Sequence, residues 1–162
     1  KVYLLDDHVG ATGSGYIGDV TTLIDELRVE AQKHRLVYDT PIDVTTLSRH
    51  LSEYLHQLTM YAVRPLGASI ILAGADELGV QLIQVDPSGT AFRGSGFAIG
   101  QGSDDALETI HKGYRPDLTL EEALALTSKA IEDLNGGKNV IEHGIVRAAT
   151  KRFEHIVPKV SG

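Results

Sequence analysis

The sequence predicts an α+β fold, in which antiparallel strands and amphipathic helices occur in separate groups along the chain. Residues 61–102 contain three strand-like apolar segments joined by short turns, and a pair of helix-like segments lies on either side of them. Short turns join antiparallel strands, because a parallel crossover needs about a dozen residues or more. The order ββ-αα-βββ-αα-ββ therefore indicates antiparallel sheets with helices stacked outside, rather than a parallel sheet built from βαβ units.

The three central strands are predicted at Ala68–Ala73, Gln81–Val85 and Thr90–Ile99. The first is a nearly continuous apolar run, which is typical of a strand covered on both faces. Asp86–Gly89 (DPSG) is a predicted tight turn, in which the aspartate binds the backbone two residues on and the glycine accepts a positive φ.

The chain before these strands predicts two short strands and two helices. Lys1–Asp7 and His8–Thr12 are the strands, and Gly13–Gly15 is predicted to turn into a helix at Asp19–Leu36 with apolar residues at helical spacing. Pro41 ends this helix, since a proline disfavours helical backbone at the residue before it. The second helix follows a predicted N-cap at Asp43, and its apolar positions are Val44, Leu47, Leu51, Leu55, Leu58 and Ala62.

The second helix pair and a final strand pair follow the central strands. Ser103 is predicted to cap a helix at Asp104–Lys112. The pattern Thr119-x-x-Glu122 predicts a capping box at the start of a helix that continues to Leu134. The last strands are predicted at the following segments: Asn139–Ala149 and Phe153–Val157.

Composition limits the classes of function. With 162 residues, the chain is predicted to form one domain, residues 1–162. A net charge of −7 argues against sequence-independent nucleic-acid binding, which needs concentrated Lys and Arg. No apolar run approaches the ~20 residues of a membrane span, so no membrane partner is expected. The absence of cysteine suits a cytoplasmic protein.

A G-x-G-x-x-G pattern at Gly13–Gly18 raises the alternative of a dinucleotide-binding domain. Such a site also needs a second parallel strand that ends in an acid about 20 residues on. Asp39 has that spacing, but no strand precedes it and a second helix follows. Glycines that allow a tight strand-to-helix turn are the competing explanation, and no cofactor is predicted.

Other reactive residues form no recognisable catalytic or metal-binding pattern, so neither kind of site is predicted. The seven histidines lack H-x-x-x-H or H-E-x-x-H spacing. The acid pairs at corners and helix starts are explained by helix dipoles; they are Asp6–Asp7, Asp104–Asp105 and Glu121–Glu122. Four serines lack a nucleophile-elbow context or a placed histidine; they are Ser14, Ser88, Ser95 and Ser103.

Five sequence pieces, in order and at matching spacing, resemble proteasome α-type subunits: RVEAQKHRL (28–36), Tyr38 together with Pro41-Ile42, VRPLG (63–67), GAD (74–76) and DPSG (86–89). The resemblance runs from Lys1 to about Val157. It implies a four-layer αββα sandwich of two antiparallel sheets, like that of N-terminal-nucleophile hydrolases. It also implies that the first strand hairpin and the N-terminal helix of the family precede Lys1.

The family has a non-catalytic α branch and a β branch that includes threonine peptidases, and the resemblance favours the α branch. Catalytic β subunits usually place serine and aspartate in the loop after the fourth helix, where this chain has Asn135–Lys138 (NGGK). Met60–Ala62 and Leu66 depart from the usual α pattern, which affects neighbour contacts rather than the branch. A catalytic β-type or self-processing hydrolase of the same fold stays the alternative.

The α-branch resemblance implies partners and a binding site. Such subunits form the heptameric outer ring, contact the β ring, gate substrate entry and receive a regulatory ATPase or another activator, in the cytoplasm and, in eukaryotes, the nucleus. In archaeal-type members a lysine and a glycine bind the activator's C-terminal carboxylate between neighbouring subunits, and Lys1 and Gly15 match them. An ammonium and a backbone N–H near a helix N-terminus both favour a carboxylate. A solvated lysine at a strand end is the competing explanation for Lys1.

Overall fold

The computed structural model describes residues 1–61, 64–135 and 140–157, and its elements follow the predicted order ββ-αα-βββ-αα-ββ. The strands and helices have the following bounds: β1 Val2–Asp6, β2 Val9–Gly15, α1 Ile17–Tyr38, α2 Val44–Tyr61, β3 Ala68–Asp76, β4 Gly79–Val85, β5 Ala91–Arg93, α3 Ser103–Gly113, α4 Leu120–Asn135, β6 His143–Val146 and β7 Phe153–Ile156. Within these ranges no helix combines the length and apolar character that crossing a membrane requires.

The first five strands form one antiparallel sheet in the order β1-β2-β3-β4-β5. The prediction that the three central strands are antiparallel neighbours is confirmed. Their second turn also has the predicted mechanism, because Asp86 Oδ1 accepts the N–H groups of Ser88 (2.9 Å) and Thr90 (3.0 Å). Gly89 in this turn has a φ of 87°.

The predicted length of the fifth strand is wrong. β5 covers only Ala91–Arg93, whereas the prediction extended it to Ile99. Gly94 still donates its N–H to the Leu82 carbonyl (3.2 Å), and the chain then leaves the sheet. The apolar residues of segment 94–99 therefore pack elsewhere instead of extending strand β5.

The predicted turn at Gly13–Gly15 is also wrong, because β2 continues through all three residues. Their partners on β3 are Ile70, Ser69 and Ala68, respectively. Glycine suits this part of the strand because α1 lies close to it: a Cβ on Gly13 would lie 2.5 Å from Val20 Cγ1. Close approach of a neighbouring element is a common reason for glycine inside a strand.

The first helix pair begins and ends largely as predicted. α1 ends at Tyr38, and Asp39 follows in a left-handed conformation with its N–H donated to the Arg35 carbonyl (2.9 Å). Asp43 caps α2 as predicted, since its Oδ1 accepts the Thr46 N–H (2.8 Å). Both helices pack against one face of the large sheet.

The second helix pair confirms one predicted cap and overturns another. At α4, Thr119 Oγ1 accepts the Glu122 N–H (3.2 Å) while Glu122 Oε2 accepts the Thr119 N–H (2.9 Å), which is the predicted capping box. Ser103 does not cap α3; it is the first helical residue and follows Gly102, whose φ is 75°. A left-handed glycine therefore makes the turn where a side-chain cap was expected.

The last two strands form a separate two-stranded antiparallel sheet, β6–β7. The strand pair is confirmed, but it is shorter than the predicted Asn139–Ala149 and Phe153–Val157, and Asn139 lies outside the described residues. This hairpin contacts β1, β2 and β3. The Phe153 ring packs where Gly10 and Gly144 leave space for it.

The core lies between the large sheet and α1–α2. Its fully buried large side chains come from both layers and from the α1–α2 connection: Val9, Leu23, Ile24, Leu27, Ile42, Val44, Leu47, Leu51, Leu55, Ile70, Leu72 and Val85. The opposite face of the sheet is only half-buried, so the prediction that β3 is covered on both faces holds fully for one face. A cavity of about 470 Å³ separates that second face from α3–α4, and its wall includes Ile71, Leu82, Ile110 and Leu126.

Candidate functional site

The two predicted carboxylate-binding residues lie at one end of the β1–β2 strand pair. β1 begins at Val2, which pairs with Thr12, and β2 ends at Gly15. Antiparallel pairing therefore brings the residue before β1 and the last residue of β2 to the same end of the sheet. The two residues line different cavities: Lys1 lines one of about 510 Å³, and Gly15 lines a smaller one.

Lys1 combines an anchored backbone with a side chain that is 76% exposed. Its carbonyl accepts from Thr12 Oγ1 (2.9 Å), and the next residue, Val2, donates its N–H to Glu142 Oε2 (3.3 Å). Within the described ranges, no carboxylate pairs with the ammonium group of the Lys1 side chain. The side chain is thus available to an anion from outside the chain.

Gly15 occupies a tightly enclosed backbone position. It has a φ of 123°, which L-residues with a side chain rarely adopt, and a Cβ here would lie 2.1 Å from the Gly67 carbonyl oxygen. The next residue, Tyr16, is the N-cap of α1 and makes no side-chain cap. Gly15 therefore ends a strand two residues before the helix, rather than opening the helix as the resemblance implied.

An ion pair between a buried carboxylate and an exposed guanidinium lies beside Gly15, between the first turn of α1 and the segment that leads into β3. Asp19, with a side chain only 8% exposed, binds both terminal nitrogens of Arg64 at 2.8 Å. Asp19 Oδ2 also accepts the Gly67 N–H (2.8 Å). The hydrogen bonds from Arg64 and Gly67 lower the pKa of Asp19 from its ordinary value of 3.8 to about 2. Asp19 is therefore a carboxylate at neutral pH.

The structure contradicts the alternative of a dinucleotide site at Gly13–Gly18. Such a site needs parallel strands, and the sheet is antiparallel throughout. Gly13 and Gly15 face Val20 and the Gly67 carbonyl, so protein atoms fill the space where a pyrophosphate would approach. Asp39 ends α1 and does not follow a strand.

The four serines noted in the sequence occupy turns, strand ends or helix starts. Ser88, for example, donates to Asp86 Oδ1 (2.6 Å) within the turn. A different serine meets a histidine: Ser128 Oγ on α4 lies 3.3 Å from His143 Nε2 on β6. Sequence inspection missed this pair because its members are on elements that meet only in the folded chain. In the described residues, no carboxylate binds His143 to orient it as a general base.

The remaining histidines make individual contacts. His8 is buried in the β1–β2 turn with Nε2 2.6 Å from the Ile42 carbonyl oxygen, and His50 Nε2 lies 2.9 Å from Glu26 Oε1. In residues 1–61, 64–135 and 140–157, no group of three or more His, Asp or Glu side chains could hold a metal ion.

The outward face of α1 carries exposed residues of mixed character. Val29 is 48% exposed, and Gln32 and Lys33 are exposed as well. Leu36 continues this face one turn later and is also exposed. A mixed apolar and polar surface therefore lies on the side of α1 that faces away from the core.

Comparison with known proteins gives a consistent family assignment. Residues 1–149 match the family described as Proteasome, Proteasome subunit. Similar proteins include "Proteasome subunit alpha" of Archaeoglobus fulgidus, 38% identical over 164 residues, and that of Methanosarcina barkeri, 36% identical over 163 residues. Each match covers 98% of this chain and 66% of the relative. "Proteasome subunit alpha" of Thermococcus sibiricus is 35% identical, and the match covers 98% of this chain and 62% of that protein.

Proposed function

The chain belongs to the proteasome subunit family, and we propose that it acts as a non-catalytic α-type subunit of the 20S core particle. The observation that carries this proposal is the similarity to proteins named proteasome subunit alpha along 98% of the chain. The loop NGGK at 135–138 supports it in sequence, although residues 136–138 lie outside the described part. The chain spans about two thirds of the length of these relatives, at 66% for two of them.

The proposal includes the four-layer αββα sandwich expected for a single domain of this family. A five-stranded sheet packed on α1–α2 supports it, together with the smaller β6–β7 sheet and α3–α4 beyond its other face. An experimental structure of the full-length protein tests this part. Two stacked antiparallel sheets between two helix pairs are expected, whereas β6–β7 separated from the large sheet would contradict it.

The proposed partners are neighbouring α subunits in a heptameric ring, the β ring, and a regulatory ATPase or another activator, in the cytoplasm. Lys1 and Gly15 are the proposed site for the activator's C-terminal carboxylate. The exposed ammonium of Lys1 and its position at the same sheet end as Gly15 support this assignment. The ring is tested by the mass of the full-length protein co-expressed with its β subunit, and a stable monomer in that experiment would contradict it.

We expect the full-length protein alone to show no turnover of a fluorogenic peptide. A nucleophile needs a base, and the base needs an orienting group. The Ser128–His143 pair lacks a carboxylate partner among the described residues. Turnover that a threonine-directed inhibitor abolishes would instead favour the alternative, a catalytic β-type peptidase. Turnover that resists this inhibitor but is lost in Ser128→Ala would assign activity to the pair.

We expect the double substitution Val29→Asp and Gln32→Asp to weaken co-assembly with β subunits and to leave the subunit folded. Both side chains are exposed on α1, so new charges there do not disturb the core but would be desolvated in a subunit interface. Native electrophoresis of the co-expressed subunits measures the effect. Leu78→Asp in the β3–β4 turn, also an exposed apolar-to-acid change, is the matched control. Unchanged assembly of the double variant would show that this face is solvent-exposed in the complex.

A further inference from the structure

The segment Arg64–Gly67 is attached to the β2–α1 junction by a compact set of polar contacts. The Asp19 carboxylate accepts two hydrogen bonds from Arg64 and one from the Gly67 N–H, all at 2.8 Å. Arg64 also donates to the Pro65 carbonyl (3.0 Å), which ties its guanidinium to its own segment. An acid in the first turn of a helix often interacts only with the helix N-terminus. Here the carboxylate instead binds a different part of the chain.

Gly67 in turn is in close contact with Gly15 and Tyr16. The Gly67 carbonyl accepts the Tyr16 N–H (2.9 Å). A Cβ on Gly67 would lie 2.7 Å from the Tyr16 ring, and a Cβ on Gly15 would lie 2.1 Å from the Gly67 oxygen. The backbone segments at 15–16 and at 67 therefore touch without spare room. A displacement of Gly67 would move Gly15 and Tyr16 with it.

We propose that Asp19 and Arg64 are positioning residues for the carboxylate-binding site at Lys1 and Gly15. They act through Gly67, which they hold against the end of β2, and neither is required to touch the bound carboxylate. This inference rests on the proposed function, because it concerns the same site. An ion pair with one buried member suits such a task, since removing either partner leaves the other group without the two hydrogen bonds that join them. Asp19 is ionised at neutral pH, and the hydrogen bonds from Arg64 and Gly67 lower its pKa further.

A test must separate a positioning role from a general contribution to folding. The full-length protein in its assembled complex is titrated with a short synthetic peptide in two forms, one with a free C-terminal carboxylate and one with a C-terminal amide. The ratio of the two affinities reports on carboxylate recognition alone. General destabilisation weakens both forms equally and leaves the ratio unchanged, so the ratio is the readout that a merely structural role would not move.

In the wild type we expect the free acid to bind about tenfold or more tightly than the amide. Asp19→Asn is expected to lower this ratio by about threefold or more. Arg64→Gln is expected to lower the ratio by a similar factor. It also serves as a second variant in case Asp19→Asn fails to fold, because the Arg64 side chain is 60% exposed and its replacement disturbs less packing. Arg64→Lys keeps the charge and loses the two-pronged geometry, so partial recovery of the ratio is expected.

Each outcome is decisive for one of the two proposals. A wild-type complex with equal affinity for acid and amide would overturn the carboxylate site and this inference with it. A wild type that discriminates, with discrimination lost in Lys1→Ala but retained in Asp19→Asn and Arg64→Gln, would overturn the positioning role alone. If Asp19→Asn and Arg64→Gln weaken the binding of both peptide forms equally, the ion pair contributes to folding only, and the positioning role is likewise overturned.

Discussion

Lys1→Ala is expected to weaken activator binding to the assembled complex by about tenfold or more and to leave the fold intact. The Lys1 side chain is 76% exposed and bonds to no carboxylate in the described part of the chain, so truncation removes little packing. A charge-assisted hydrogen bond between an ammonium and a carboxylate contributes about 1.5–3 kcal/mol when it is well desolvated. A tenfold change in affinity corresponds to about 1.4 kcal/mol, so the loss should be measurable.

The measurement is ATPase-dependent degradation of a folded substrate by the reassembled complex, with ring assembly followed in parallel. Lys129→Ala is the matched control, because Lys129 is an exposed lysine on α4 and not part of the proposed site. Normal stimulation of intact rings that carry Lys1→Ala would show that Lys1 is only a surface charge.

Gly15→Ala is expected to destabilise the protein by about 2 kcal/mol or more, whereas Gly18→Ala is expected to stabilise it by roughly 0.5 kcal/mol. Gly15 has a φ of 123°, and its new Cβ would meet the Gly67 carbonyl, a backbone atom that moves only with its segment. Gly18 lies in the first turn of α1 with an ordinary helical φ, and a Cβ there would have no neighbouring atom of the described chain within 4 Å. Alanine at Gly18 reduces the entropy of the unfolded chain without a clash.

The two variants make the same chemical change three residues apart, so each controls for the other. The difference in unfolding free energy is measured by chemical denaturation under matched conditions. Equal stability of both variants would contradict the strain assigned to Gly15. The strain also explains why a bulky residue at Gly15 cannot test carboxylate binding cleanly, whereas Lys1→Ala can.

The element order was predictable from sequence because it depends on local signals. The spacing of apolar residues distinguishes helices from strands, and short glycine-containing turns exclude parallel crossovers. Caps formed within a few residues were also predictable, as at Asp43 and Thr119. The family resemblance came from short pieces in order, and the similarity to known proteasome subunits supports it.

The errors occur where contacts distant in sequence decide the local structure. β2 continues through Gly15 because β3 pairs with all of it, and that pairing joins residues more than 50 positions apart. β5 stops at Arg93, and the chain leaves the sheet after Gly94 bonds to Leu82, although the apolar pattern continues to Ile99. Ser103 has a good capping side chain, yet the preceding left-handed glycine leaves it inside the helix.

By itself, the sequence determined the class of the fold, the order of its elements and the family, since periodicity, turn chemistry and motif spacing are properties of neighbouring residues. Only the tertiary structure decided what surrounds the candidate site. It brings Asp19, Arg64 and Gly67 together across 48 residues of chain and closes the space beside Gly15. Hydrogen bonds of this kind depend on where the packed sheet and helices place the two segments, and no local pattern in the chain encodes that distance.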